Sequence, residues 1–77
     1  MTIKVKLFGI LADNAQANKI EISDVSTTEE LLQKVNRKYP SFESVNYKIS
    51  VNQDIISNDQ KISTDDEIAL LPPFSGG

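Results

Sequence analysis

A single capped helix between strand-like segments is the feature that most constrains how this chain can fold. The helix is predicted to begin after Thr27, because Thr27 and Glu30 have the spacing of a capping box. Apolar residues then recur at helical spacing, and Pro40 ends the helix. The residues of this apolar stripe are Leu31, Leu32, Val35 and Tyr39. The sequence therefore predicts one helix that packs against a sheet.

Strand patterns lie on both sides of this helix. Three segments alternate apolar and polar residues, as expected of strands with one buried face. The last segment is a continuous apolar run, which is typical of a strand between two neighbours. The predicted strands are residues 3–8, 19–23, 47–51, 55–56 and 67–71. Residues 10–17 are expected to form a loop with one helical turn, and residues 41–46 a plain loop.

The order strand, strand, helix, strand, strand, strand predicts an α+β domain. We expect a mixed sheet of about five strands packed against one main helix, with the first and last strands adjacent at its centre. This layout resembles the ubiquitin-like β-grasp. The expected division is a β-grasp domain over residues 1–71 and an extended tail over residues 72–77. The predicted core residues are Ile3, Val5, Leu7, Ile20, Ile22, Leu31, Leu32, Val35, Ile49, Val51, Ile68 and Leu70.

Composition excludes most forms of catalysis within the chain. There is no Cys, His or Trp among the 77 residues, so thiol nucleophiles, imidazole catalysis and zinc clusters are excluded. The acidic cluster at residues 65–67 precedes an apolar run and is interpreted as a turn before a strand. The net charge of −3 with scattered cations disfavours nucleic acid and anionic membranes as partners. With no membrane-spanning or signal-peptide pattern, a cytoplasmic protein is expected.

The tail from Pro72 to Gly77 offers a different chemistry. Pro72 and Pro73 have no N–H to donate and favour extended backbone, so the six residues reach roughly 20 Å from the domain. Gly76 and Gly77 have no Cβ, so other groups can approach the carboxylate of Gly77 closely. Phe74 is interpreted as an apolar anchor for a partner pocket. The alternatives are a frayed terminus and a Phe74 that folds back on its own domain.

Five pieces of the sequence together resemble a known family. They are residues 3–8, the capped helix, Val51-Asn52-Gln53 at a hairpin, residues 65–73, and Ser75-Gly76-Gly77. The most specific piece is the order Asp-Glu, apolar strand, Pro-Pro and Gly-Gly. This combination resembles the small subunit of molybdopterin synthase, a family of β-grasp sulfur carriers in molybdenum cofactor biosynthesis.

The resemblance implies a reaction cycle centred on Gly77. An ATP-dependent adenylating enzyme would activate the Gly77 carboxylate, and a sulfur donor would convert it to a thiocarboxylate. The tail would then enter the large catalytic subunit of a heterotetramer and give sulfur to a cyclic pterin precursor. The chain itself would be the non-catalytic subunit, with no cofactor bound and ATP used by the activating partner. The residues expected to contact the partner are Pro72, Pro73, Phe74, Ser75 and Gly76.

Two other functions share the predicted fold and tail. One is a sulfur carrier for the thiazole part of thiamine, which the Pro72-Pro73-Phe74 sequence disfavours because those carriers typically lack the proline pair. The other is a ubiquitin-like modifier whose terminus forms isopeptide bonds. Conjugates visible as gel-shifted bands would identify the modifier.

Overall fold

The structure is a computed structural model that describes residues 2–73. Within this range five strands form one mixed sheet. The strands are β1 (Thr2–Leu7), β2 (Lys19–Ser23), β3 (Lys48–Val51), β4 (Asp54–Ile56) and β5 (Ile68–Leu71). The helices are α1 (Gly9–Ala15), α2 (Thr28–Lys38) and a 3₁₀ helix (Pro40–Ser44). The α+β class predicted from the sequence is confirmed, and the strand bounds differ from the predicted ones by one residue at most.

The strand order β2-β1-β5-β3-β4 places β5 in the middle of the sheet. β5 runs parallel to β1 and antiparallel to β3, with Ile68 opposite both Val5 and Val51. The prediction that the first and last strands are adjacent at the centre is therefore confirmed. Neighbours on both sides explain why β5 is apolar at consecutive positions and does not alternate.

The core lies between the sheet and α2. Alternation in β1 turns Ile3, Val5 and Leu7 inward, and from α2 Leu31 and Val35 are fully buried. All predicted core residues are buried except Leu32, for which the prediction was wrong because it is only partly buried. Leu32 lies on the flank of α2 that lines a cleft towards β3 and β4. The buried residues Leu11, Val25, Phe42, Ile62 and Ala69 were not predicted.

The segment after β1 is α1, so the prediction of a loop with one helical turn was wrong. Leu11 is fully buried and Ala12 packs against the core, and these apolar contacts stabilise a seven-residue helix. The helix ends in a Schellman motif: Gln16 has φ 56°, its N–H bonds the Asp13 carbonyl at 3.3 Å, and the N–H of Ala17 bonds the Ala12 carbonyl at 3.2 Å.

The segment after α2 is also more ordered than predicted. Residues 40–44 form the 3₁₀ helix in place of the expected loop, and its Phe42 is completely buried. The Phe42 ring stacks on Tyr39 with centroids 5.1 Å apart and meets the edge of Tyr47 at 6.1 Å. A lone aromatic among polar residues has no periodicity, so the pattern alone did not place Phe42 in the core.

The cap of α2 is largely as predicted. The Thr27 hydroxyl accepts the N–H of Glu30 at 3.2 Å, and the Glu30 carboxylate accepts from the N–H and the hydroxyl of Ser26 at 2.8 and 3.0 Å. Asp59 adds a second cap by accepting from the hydroxyl of Thr28 at 2.9 Å and the N–H of Glu29 at 2.8 Å. These bonds tie the segment after β4 to the start of α2.

Candidate functional site at the exit of the tail

The central strand of the sheet, β5, leads directly into the tail. The last ladder position of β5 is Leu71, opposite Lys48, and Pro72 and Pro73 follow outside any strand. Pro72 is partly buried and Pro73 is exposed. The prediction that the prolines end the ladder is confirmed. The remaining predicted site residues lie outside the described residues, and they are Phe74, Ser75, Gly76 and Gly77.

Gly9 supports the first residue of the tail. It has φ +57°, a conformation that favours glycine, and a Cβ at this position would stand 2.9 Å from Cγ of Pro72. The turn from β1 into α1 therefore packs closely against Pro72. Because a side chain on residue 9 would push against the ring, Gly9 helps to set where the tail leaves the domain.

A polar clamp of Asn52, Ser63, Asp66 and Glu67 holds the other end of β5. The Asn52 amide donates to the Asp66 carboxylate at 3.0 Å and accepts the N–H of Glu67 at 2.9 Å. The Asp66 carboxylate also accepts the N–H of Ser63 at 2.8 Å. The bond from Asn52, followed by the bond from Ser63, lowers the pKa of Asp66 from its ordinary value of 3.8. The interpretation of the acidic cluster as structural is consistent with this clamp.

Asn52 can reach Asp66 because of its turn. Asn52 and Gln53 connect β3 to β4 with φ values of 53° and 71°, as in a type I′ hairpin. The N–H of Asn52 bonds the carbonyl of Glu67 at 2.7 Å. The predicted hairpin is thus confirmed, and its turn also anchors the strand that leads to the tail.

An outer strip crosses the sheet on the face opposite α2. Register places Lys6, Ala69, Ser50 and Ile55 side by side across β1, β5, β3 and β4. Phe8 and Leu71 follow two residues after Lys6 and Ala69, on the side of this row where the tail leaves the sheet. We call these six residues, together with Gln53 and Glu67, the outer strip; they line a groove of about 360 Å³.

Apolar groups on the outer strip remain open to solvent. Phe8 is 46% and Ile55 60% exposed, whereas large apolar side chains are usually buried in a domain core. Lys6 and Glu67 make an ion pair at 3.1 Å beside them, worth about 0–1 kcal/mol because both side chains are half exposed. The strip therefore combines apolar contact area with a polar border, as protein-binding surfaces do.

The polar side chains of residues 2–73 offer neither a metal-binding cluster nor an unpartnered buried group. Among residues 2–73 there is no group of three or more Asp, Glu, His or Cys side chains arranged to hold a metal ion. Every buried side-chain polar atom in that range has a hydrogen-bond partner, so none stands ready for a ligand. No helix within it is long and apolar enough to span a bilayer.

Sequence reasoning found Pro72 and Pro73 but missed the residues around them. The predicted strand over residues 3–8 includes Phe8, which was not among the predicted core residues, and it stops before Gly9. A large aromatic residue in the polar phase of an alternating strand is itself a signal, because it must stand on the outer face. No pattern in the sequence links Gly9 with Pro72, which lie far apart along the chain.

The fold and the strand from which the tail leaves define a ubiquitin-like β-grasp protein. SAMP1 from Haloferax volcanii superposes with a TM-score of 0.84 at 25% identity over all of both chains. A putative molybdopterin converting factor subunit 1 from Pyrococcus furiosus gives 0.84 at 20% identity, covering 96% of this chain and 99% of that one. A complex of subunits 1 and 2 of molybdopterin-converting factor from Helicobacter pylori gives 0.71 at 24% identity, with full coverage of both chains.

The chain belongs to the ThiS family, whose sequence model matches residues 5–77. It is 45% identical over 58 residues to a molybdopterin synthase sulfur carrier subunit from Dictyostelium discoideum, covering 70% of this chain and 67% of that one. The protein of the same name from Chlamydomonas reinhardtii is 32% identical over the whole of both chains. The family resemblance inferred from five pieces of the sequence is confirmed.

Proposed function

We propose that this chain is a sulfur carrier that serves as the small subunit of a molybdopterin synthase in the cytoplasm. The observation that carries the proposal is its relationship to carrier subunits of that name, one of them over its full length. The described structure is compatible with this role, because its central strand β5 leads straight into the tail. In this role the domain would present a reactive group and leave catalysis to partners.

The reactive group we propose is the carboxylate of Gly77. A free carboxylate is a poor electrophile, so an adenylating enzyme would first join it to the α-phosphate of ATP with loss of pyrophosphate. Hydrosulfide (HS⁻) released by the donor then attacks the carbonyl carbon, the bond to AMP breaks, and loss of the proton to solvent leaves the thiocarboxylate. Gly76 keeps the space beside this carbon free, since any Cβ there would narrow the approach.

The partner in sulfur transfer would be a large catalytic subunit. The Helicobacter pylori structure is of a complex between subunits 1 and 2 of the converting factor, and the present chain shares its fold. We propose that Pro72, Pro73 and Phe74 enter the large subunit while the outer strip contacts its surface. Phe74 would fill a pocket and could contribute about 2 kcal/mol or more to association.

Mass spectrometry tests the role of Gly77. After incubation with ATP, the adenylating enzyme and a sulfur source, the intact chain should gain the mass of one oxygen replaced by one sulfur. A variant that lacks Gly77 should fold normally and gain nothing, and Gly76→Val should lose most transfer with little change in melting temperature. A sulfur adduct on the variant without Gly77 would refute the assignment.

A second candidate is a protein modifier, because SAMP1, a small archaeal modifier protein, is among the similar structures. In that role an amine of a target protein, in place of sulfur, would attack the activated Gly77, forming an isopeptide bond. Pull-down of the tagged chain from its own cells distinguishes the two functions. Gel-shifted conjugates that require Gly77 support the modifier, and thiocarboxylate without conjugates supports the carrier.

A further inference from the structure

The free edge of β2 is a second surface, separate from the tail. β2 lies at the end of the strand order and pairs only with β1 among the described residues. The N–H of Leu7 bonds the carbonyl of Asn18 at 2.8 Å. Because bonded and non-bonded positions alternate in an antiparallel pair, Ile20 and Ile22 also bond β1, while the backbone groups of residues 19, 21 and 23 point away from it.

A shallow groove runs along this edge and is closed on one side by α2. Its volume is about 390 Å³, and Lys34, Arg37 and Lys38 line it from the helix. The Lys34 ammonium donates to the Ser23 carbonyl at 2.7 Å, so this carbonyl is already satisfied. The backbone groups that remain available to a new strand are the N–H and C=O of Lys19, the N–H and C=O of Glu21, and the N–H of Ser23.

The groove is the positive region of an acidic protein. Apart from Lys6, which pairs with Glu67, five cationic and two acidic side chains stand on it and on the adjoining outer face of β1 and β2, although the whole chain carries −3. The cations are Lys4, Lys19, Lys34, Arg37 and Lys38, and the acids are Glu21 and Asp24. The ion pair found within residues 2–73 joins Lys6 to Glu67 and involves none of these five. None of the five has an ion-pair partner in that range, although Lys34 donates to two carbonyls and Lys38 lies over the Tyr39 ring. The positive charge of the groove can therefore act on a partner.

We propose that an acidic, extended segment of a partner protein docks here by adding a strand to β2. Its backbone would bond the outward N–H and C=O groups of Lys19 and Glu21, as in other strand additions. Alternate side chains of that segment would face the flank of α2, where carboxylates meet Arg37 and Lys38. Charge complementarity selects an acidic occupant, since a basic strand would face like charges. The surface does not depend on the proposed chemistry of Gly77.

Amide hydrogen exchange of the full chain with a model peptide tests the docking mode. The probe is a peptide of alternating threonine and glutamate, and the comparison peptide has lysine in place of glutamate. Binding of the glutamate peptide should slow exchange at Lys19, Glu21 and Ser23 selectively, because Ile20 and Ile22 already bond β1. No saturable binding, equal binding of the lysine peptide, or protection elsewhere overturns the proposal and leaves the edge lysines as guards against aggregation.

Two pairs of variants separate charge from backbone pairing. The double variant Arg37→Glu, Lys38→Glu should weaken binding about tenfold or more, whereas Lys48→Glu, Lys61→Glu makes the same charge change elsewhere and should leave most affinity intact. Glu21→Pro removes one outward N–H without breaking the bonds to β1 and should abolish binding. Glu21→Ala removes the same side chain but should bind at least as well as the wild type. Equal binding within either pair contradicts the proposal.

Discussion

The two faces of the sheet differ in how far their large apolar side chains are exposed. On the inner face Leu31, Val35 and Phe42 are completely buried between the strands and the helices. On the outer face Phe8 and Ile55 are about half exposed, and the tail begins beside them. The comparison suggests that the inner face provides the stability of the domain while the outer face provides contact area. Substitutions on the outer face should then leave the stability of the domain unchanged, and substitutions on the inner face should leave the outer contact area unchanged.

A matched pair of phenylalanines gives the largest expected difference. Phe42→Ala should lower the free energy of unfolding by about 3–5 kcal/mol, because it leaves a cavity in the core. Phe8→Ala removes the same atoms from the outer strip and should cost less than about 1 kcal/mol. Urea unfolding of both variants makes the measurement, with Phe42→Leu as a milder change if Phe42→Ala does not fold. Similar losses for the two alanine variants would remove the distinction between the faces.

Gly9→Ala should have an intermediate effect on stability, about 1–3 kcal/mol. A residue with a side chain is strained at φ +57°, and its Cβ would meet Pro72 at 2.9 Å. A double-mutant cycle with Pro72→Ala separates these two causes. If the contact matters, Gly9→Ala should cost less when Pro72 is already alanine. Additive losses would mean that only the backbone conformation requires glycine and that the residue does not hold the tail.

The polar clamp gives the smallest expected effect, which depends on pH. The amide of Asn52 and the N–H of Ser63 keep the pKa of Asp66 below 3.8 in the folded chain. The ionised Asp66 therefore stabilises the fold above the unfolded pKa, and this stabilisation is lost as the pH falls through the folded pKa. Asp66→Asn should be less stable than the wild type near neutral pH, and the difference should shrink in acid. A constant difference in urea unfolding across that range would contradict the clamp.

Local patterns predicted most of the inner face. β1 and β2 alternate apolar and polar residues, and α2 has both a cap and a stripe, so periodicity was sufficient to assign Ile3, Val5 and Leu31 to the core. The continuous apolar run of β5 placed it at the centre of the sheet. In these elements the prediction and the structure agree, because local conformational preference and burial favour the same structure.

Other parts depend on contacts between distant segments and could not be read from periodicity. α1 is short and has no side-chain cap, and it is held by Leu11 in a core built largely from other segments. Phe42 is buried through Tyr39 and Tyr47, and the closeness of Gly9 to Pro72 follows from the parallel pairing of β1 with β5. The tail was predicted from its own residues. The outer strip beside it could not be predicted, because its residues are brought together by the register of four strands.

Calorimetric titration with the large subunit of a molybdopterin synthase tests most directly whether the outer face contacts the partner. Phe8→Ala should weaken the affinity of the folded chain about tenfold or more, because Phe8 adjoins the exit of the tail. Ile10→Ala is the matched control, since Ile10 is 51% exposed but does not line the strip. The account predicts affinity close to that of the wild type for Ile10→Ala. Unchanged affinity for Phe8→Ala, in a variant of unchanged stability, would contradict it.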